Sequence, residues 1–144
     1  MAVTDDQVAT LRAQLAGDTA EYERRFADLD TAADRTGYTA LIGAAFVVAA
    51  ERRFSVDSEV ADVLKFVADV RGRIPNAESL DARTAERLIL AAVSDADIDD
   101  IDADTAVVTQ LILAAAMVAD AQYDDAALDA FMAEARALAD GWVS

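Results

Sequence analysis

The chain contains no cysteine and no histidine. The first absence excludes disulfides, thiolate nucleophiles and iron–sulfur clusters. The second removes the commonest general base and the commonest transition-metal ligand, so any bound metal would be a hard, oxygen-coordinated ion. Proline occurs once, lysine once (Lys65) and glycine five times. Turn-rich β proteins need more of these turn formers, whereas an Ala-, Val- and Leu-dominated mixture favours helix. There is no Gly-rich phosphate loop, serine elbow or metalloprotease motif, which leaves catalysis without a recognisable centre. Residues Met1 to Asp6 lack the basic-then-apolar run of a signal peptide, and a cytoplasmic location is expected.

What is present is a core-forming composition and a lopsided charge. Hydrophobic residues make up 55% of 144 positions, enough for one domain to fold without staples. The formal net charge is −16. Such a chain repels nucleic acid and anionic membranes and attracts cations and basic proteins. Solubility or a salt-adapted source explains the total equally well. The distribution is more informative: residues 95–144 carry 12 acidic side chains and a single basic one, Arg136, and so supply −11 of the −16.

Hydrophobic spacing predicts seven helices. Thr4 with Gln7 forms a capping box that opens the first, and Gly17 closes it. Asp18 with Glu21 opens the second, which carries Tyr22, Phe26, Leu29 and Ala33 on one face and ends near Arg35 to Gly37. The third, Tyr38 to Arg52, has no charged or strongly polar side chain from Ala40 to Ala50; it is too short to span a bilayer and reads as a central core helix. After a break at Phe54 to Asp57, with Ser55 or Asp57 as N-cap, the fourth uses Val60, Val63, Leu64, Val67 and Val70. Arg71 to Asn76 is a loop, and the fifth helix runs from Leu80 to Val93. Ser94 to Asp104 is an acidic linker. The sixth helix, Thr105 to Ala121, is again almost wholly apolar. The seventh, Ala126 to Asp140, is ended by Gly141, with Trp142 and Val143 folding back. Tyr22, Phe26, Phe46, Phe66 and Phe131 are assigned to the core. Arg24, Arg25, Arg52 and Arg53 are expected to pair with nearby Glu21, Asp28 and Glu51.

Two segments, Tyr38 to Arg71 and Val107 to Asp140, share one plan: an apolar helix, one aromatic (Phe54 or Tyr123), an acidic cap and an amphipathic helix. Packing of two such copies about a pseudo-twofold axis would bury both apolar faces. In the second copy the run Leu111-Ile112-Leu113-Ala114-Ala115-Ala116-Met117-Val118-Ala119-Asp120-Ala121-Gln122-Tyr123-Asp124-Asp125 resembles the tellurite-resistance TerB-like family, whose pattern is an Ala-rich helix, Asp-Gly-x-aromatic and then acidic residues. Ala121 stands where that family has glycine, and Arg52-Arg53 stands at the Asp-Gly position of the first copy. The resemblance spans residues 38–140, with 1–37 as an N-terminal helical extension of a single domain, 1–144. It implies a duplicated all-α bundle and a non-enzymatic cytoplasmic stress-response role beside membrane-associated partners.

The candidate site joins the linker to the junction of the sixth and seventh helices. Between Asp95 and Asp125 there are nine aspartates and no Lys or Arg. Asp95, Asp97 and Asp99 mimic the opening of a calcium-binding EF-hand loop, but its sixth position is Asp100 rather than Gly and its twelfth is Ala106 rather than Glu. Asp120 lies at a helix C-terminus, where the dipole disfavours an anion, with Asp124 and Asp125 close behind. A loose site for Ca²⁺ or another hard divalent cation, held by Asp95, Asp97, Asp99, Asp120, Asp124 and Asp125, is one expectation. A solvated loop in which Asp104 and Asp124 merely cap helices is the other. The function expected is binding of a divalent cation, or of a protein partner with a basic surface, through this acidic patch. The alternative is a metal-independent interaction module of immunity, inhibitor or DNA-mimic type. Neither nucleic-acid binding nor direct membrane insertion is expected.

Overall fold

In the computed structural model, which describes residues 2–29, 31–54, 57–76, 78, 80–94 and 97–143, the capping pattern at Thr4 forms as the sequence dictates. The Thr4 hydroxyl accepts the Gln7 backbone N–H, and the Gln7 side chain accepts the Thr4 N–H at 2.8 Å. This opens α1 (Asp5–Leu15). Six further helices follow: α2 (Thr19–Phe26), α3 (Ala32–Arg53), α4 (Val60–Arg73), α5 (Ala82–Ser94), α6 (Ala103–Ala121) and α7 (Asp125–Val143). The described residues form no strand.

Several boundaries differ from the expected ones, among them that α4 runs through Arg71 to Arg73, where a loop was expected. The second helix stops at Phe26 rather than near Gly37, and the third begins at Ala32 rather than Tyr38. The cause is Thr31, whose hydroxyl accepts the Asp34 N–H at 3.0 Å and starts a new helix. Gly37 lies inside α3. It is there for close approach: a Cβ at this position would meet the Gln7 amide at 2.5 Å. That amide donates to the Asp34 carbonyl at 2.8 Å and locks α1 to the first turn of α3. The N-cap of α4 is Glu59, whose N–H is accepted by Asp62, rather than Asp57; Ser55 lies outside the described residues. At the other end, α7 continues through Gly141 to Val143. Trp142 is 51% exposed, with its ring edge against Gly43 instead of folded into the core.

The apolar helix α3 is the axis of the molecule and packs against α1, α5, α6 and α7. Leu41, Ala44, Ala45, Phe46 and Ala50 are fully buried in it. The run of small residues lets four neighbours approach one helix, the arrangement that an uncharged stretch requires. Phe131, Met132 and Ala135 of α7, Leu113 and Ala114 of α6, and Leu88 and Ile89 of α5 complete one core. Val3, Leu11 and Leu15 belong to the same core, so α1 is part of it and not an appendage. The N-terminal segment is tied to α7: Asp140 accepts the Val3 N–H at 2.7 Å, and Arg136 donates to the Val3 carbonyl at 2.8 Å.

Helix α6 is unlike α3. It is apolar on nearly all sides, yet only Thr109, Leu113, Ala114, Met117 and Val118 are buried. Among the described residues it is the one helix long and apolar enough, by length and composition, to cross a membrane. Here it packs on α1, α3 and α5, leaving a half-exposed stripe that includes Val107, Val108, Leu111 and Ile112.

Candidate functional site

The acidic segment starts at the end of α5 and passes through a linker into α6. In the linker, the Asp97 carboxylate accepts the Asp99 backbone N–H at 2.8 Å, a local turn that uses up one of its oxygens. Asp100 is held by both terminal nitrogens of Arg87 on α5, at 2.9 and 2.6 Å, and a third bond from Arg87 reaches the Asp97 carbonyl at 3.1 Å. This fork lowers the Asp100 carboxyl from its ordinary pKa and raises the guanidinium. Asp102 rather than Asp104 caps α6, accepting the Thr105 N–H at 3.1 Å.

At the other end of α6 the expected junction forms, but two of its three acids already have arginine partners. Asp120 in the last turn opposes the helix dipole. Its compensation is the Arg73 guanidinium from the end of α4, which donates to both carboxylate oxygens at 2.8 and 3.2 Å. The following turn is made by Gln122 in the left-handed region. Asp124 caps α7 through the Ala127 N–H at 2.8 Å. Asp125, almost wholly exposed, lies 3.5 Å from Arg12 of α1, which makes its shorter contact, 2.7 Å, with Asp129.

The structure therefore sends the expected site residues to different partners. Asp97 and Asp99 stay in the linker beside Arg87, Asp120 joins Arg73, and Asp125 joins Arg12. Asp95 lies outside the described residues. Among the described residues no group of three or more His, Cys, Asp or Glu is placed to hold a metal ion. Local spacing does not reveal these arginines as partners, because each lies between about 13 and 117 positions away from the acid it neutralises. The one signal was the surplus of cations in the first 94 residues relative to the rest.

Arg52 and Arg53 occupy the opposite side of the same junction. Arg52 donates to the Tyr123 hydroxyl at 2.9 Å and to Glu134, not to Glu51, at 2.5 Å. Its guanidinium also lies over the rings of Tyr123 and Phe131, at 5.6 and 5.2 Å from their centroids. Arg53 covers Phe54 and Phe66 in the same way, at 5.9 and 5.1 Å. Each arginine thus clasps one aromatic pair, Tyr123 with Phe131 and Phe54 with Phe66. A cleft of about 120 Å³ lies between Arg52, Arg53, Met117, Ala121 and Tyr123.

A larger groove was not foreseen from the sequence. It holds about 270 Å³ and runs between α2, α3 and α6, with Phe26, Ile42, Val107 and Leu111 among its walls. Phe26, expected in the core, is 44% exposed here, because the short α2 ends before its face can be covered. Burial raises the Tyr22 hydroxyl pKa, with a smaller contribution from Glu23 beside it.

The chain matches no protein-family model, and no curated protein or solved structure is similar to it.

Proposed function

We propose that this chain is a non-enzymatic, TerB-like interaction module that engages a basic protein partner through the acidic rim at the α5–α6 linker. The reading rests on one observation. After Arg12, Arg52, Arg73 and Arg87 have engaged carboxylates of the last fifty residues, Asp97, Asp99 and Asp104 stay exposed with no ion pair among the described residues. Residues 95 to 135 contain no Lys or Arg, and the adjacent Arg87 spends both terminal nitrogens on Asp100. A surface of one sign attracts the opposite sign from solution and speeds encounter. The commitment of Asp100, Asp120 and Asp125 to arginines favours the metal-independent form of this reading over a calcium site.

The test is anisotropy of a labelled arginine-rich peptide. Wild-type protein binds it with an affinity that falls steeply as salt shortens the screening length from about 10 Å to about 3 Å. The triple change Asp97→Asn, Asp99→Asn and Asp104→Asn leaves the Asp97 turn acceptor in place and weakens binding about tenfold or more. Calcium leaves the melting temperature unchanged. Salt-insensitive binding, equal binding by the triple variant, or a calcium-induced rise in melting temperature would each refute the proposal.

A further inference from the structure

We propose that the groove between α2, α3 and α6 binds a small amphiphilic carboxylate, an aliphatic chain ending in one anionic head group. The chain would lie against Phe26, Ile42, Val107 and Leu111, and the head group on the guanidinium of Arg35. The site is separate from the acidic rim, and the proposal stands independently of the partner reading.

Three observations carry it. First, the groove is apolar, half-open and formed where the helix packing stops short: α2 has no buried residue, and α6 shows it a half-exposed face. Its volume of about 270 Å³ lies at the lower edge of the roughly 300–1,000 Å³ common for small-molecule sites, a size for a short chain rather than a long lipid. Second, the groove carries a cation without a mate. The protein has 28 acidic and 12 basic side chains, and seven arginines are in ion pairs, yet the Arg35 side chain has no hydrogen-bonded or ionic partner among the described residues. An unpaired guanidinium at an apolar wall is complementary to a planar carboxylate, which it can hold with two parallel bonds. Third, the hydroxyls of Tyr22 and Thr39 line the same groove without a protein partner and can donate to the same head group.

The other occupants fit less well. A second copy of this chain would bring another −16 against the first. A basic helix would place its own cations beside Arg35. The net charge does repel a free anion at long range, but solvent ions screen that field over about 8 Å, whereas the guanidinium acts in direct contact. An opposing group at the groove is Glu23, whose charge is felt at the Tyr22 hydroxyl.

Isothermal titration of the intact protein with a series of straight-chain carboxylates, kept below their micelle concentrations, tests this. Affinity is expected to tighten by up to about fourfold per added methylene until the groove is filled, then to level off. The matching alcohol binds about tenfold more weakly than the carboxylate, and the alkylammonium more weakly still. Arg35→Gln removes the preference for carboxylate over alcohol, while Glu23→Gln tightens the carboxylate. Both residues are exposed, and equal melting temperatures show that the variants are folded. Arg87→Gln on α5 leaves binding unchanged. Absence of carboxylate binding, equal affinity for the three head groups, or an unaltered preference in Arg35→Gln would overturn the proposal. Tighter binding of the alkylammonium would overturn it in favour of a basic partner segment.

Discussion

Gln122 adopts φ 54° and ψ 46° at the C-cap of α6. A side chain in the left-handed region crowds its own carbonyl, and glycine avoids the crowding. Gln122→Gly is therefore expected to stabilise the fold by roughly 0.5–1 kcal/mol, read as a higher midpoint in urea with an unchanged slope. An unchanged or lower midpoint would mean that the Gln122 side chain contributes more than its backbone strain costs. The same scale explains Gly37. Its lack of a side chain serves the Gln7 amide, which is 2% exposed and bonded to both Thr4 and Asp34. Read along the sequence, Gly37 resembles a helix stop; only its neighbour across the α1–α3 contact shows why it is there.

Helices α3 and α6 look alike in sequence and differ in role. Both are long runs of Ala, Val, Leu and Ile, and periodicity cannot rank them, because a helix apolar on every side has no preferred face. The difference arises from how many neighbours each acquires: α3 has α1, α5, α6 and α7 around it, whereas α6 keeps one side open towards α2. Close packing on all sides makes α3 intolerant of added volume. Ala44, fully buried at its centre, should cost roughly 1–3 kcal/mol when changed to Leu, measured by urea unfolding. The exposed Ala119 of α6 should accept the same enlargement within about 0.5 kcal/mol. Equal sensitivity at the two positions would contradict this account of the packing. Helix number and approximate position were legible because caps and apolar spacing are local: Thr4, Asp18 and Asp124 each accept the N–H their position foretold. The boundaries at Thr31 and Gly141 were not, since a threonine cap in mid-run and a glycine inside a helix make sense only beside their tertiary neighbours.

Across the whole molecule, the charge segregation of the sequence is partly cancelled in space. Arg12, Arg52, Arg73 and Arg87 come from four helices of the first 94 residues and reach acids of the last fifty. These contacts are exposed and individually weak. Their effect is distributed, and it carries a pH signature. The Arg87 fork holds Asp100 below its ordinary pKa, so its contribution is fully present above the unfolded value of about 4 and is lost as pH falls through the lower folded value. Glu21, lowered by Arg24 and Arg25, and Asp81, lowered by the Thr84 N–H and hydroxyl, behave the same way. The melting temperature of Arg87→Gln should therefore lie below that of wild type at neutral pH and converge with it as the pH drops below about 3. A gap that persists in acid would assign the role of Arg87 to packing of its stem instead.

Composition and spacing within one turn or two were enough for the helical class and the seven helices of the described residues, a buried third helix and a strongly acidic final third. Tertiary structure alone decided which acids remain unpaired, that Asp120 meets Arg73, and that a groove with an unmatched guanidinium opens beside α6. The reason is physical: helix formation is governed by interactions three or four residues apart, whereas ion pairs and grooves are set by which helices come to lie side by side.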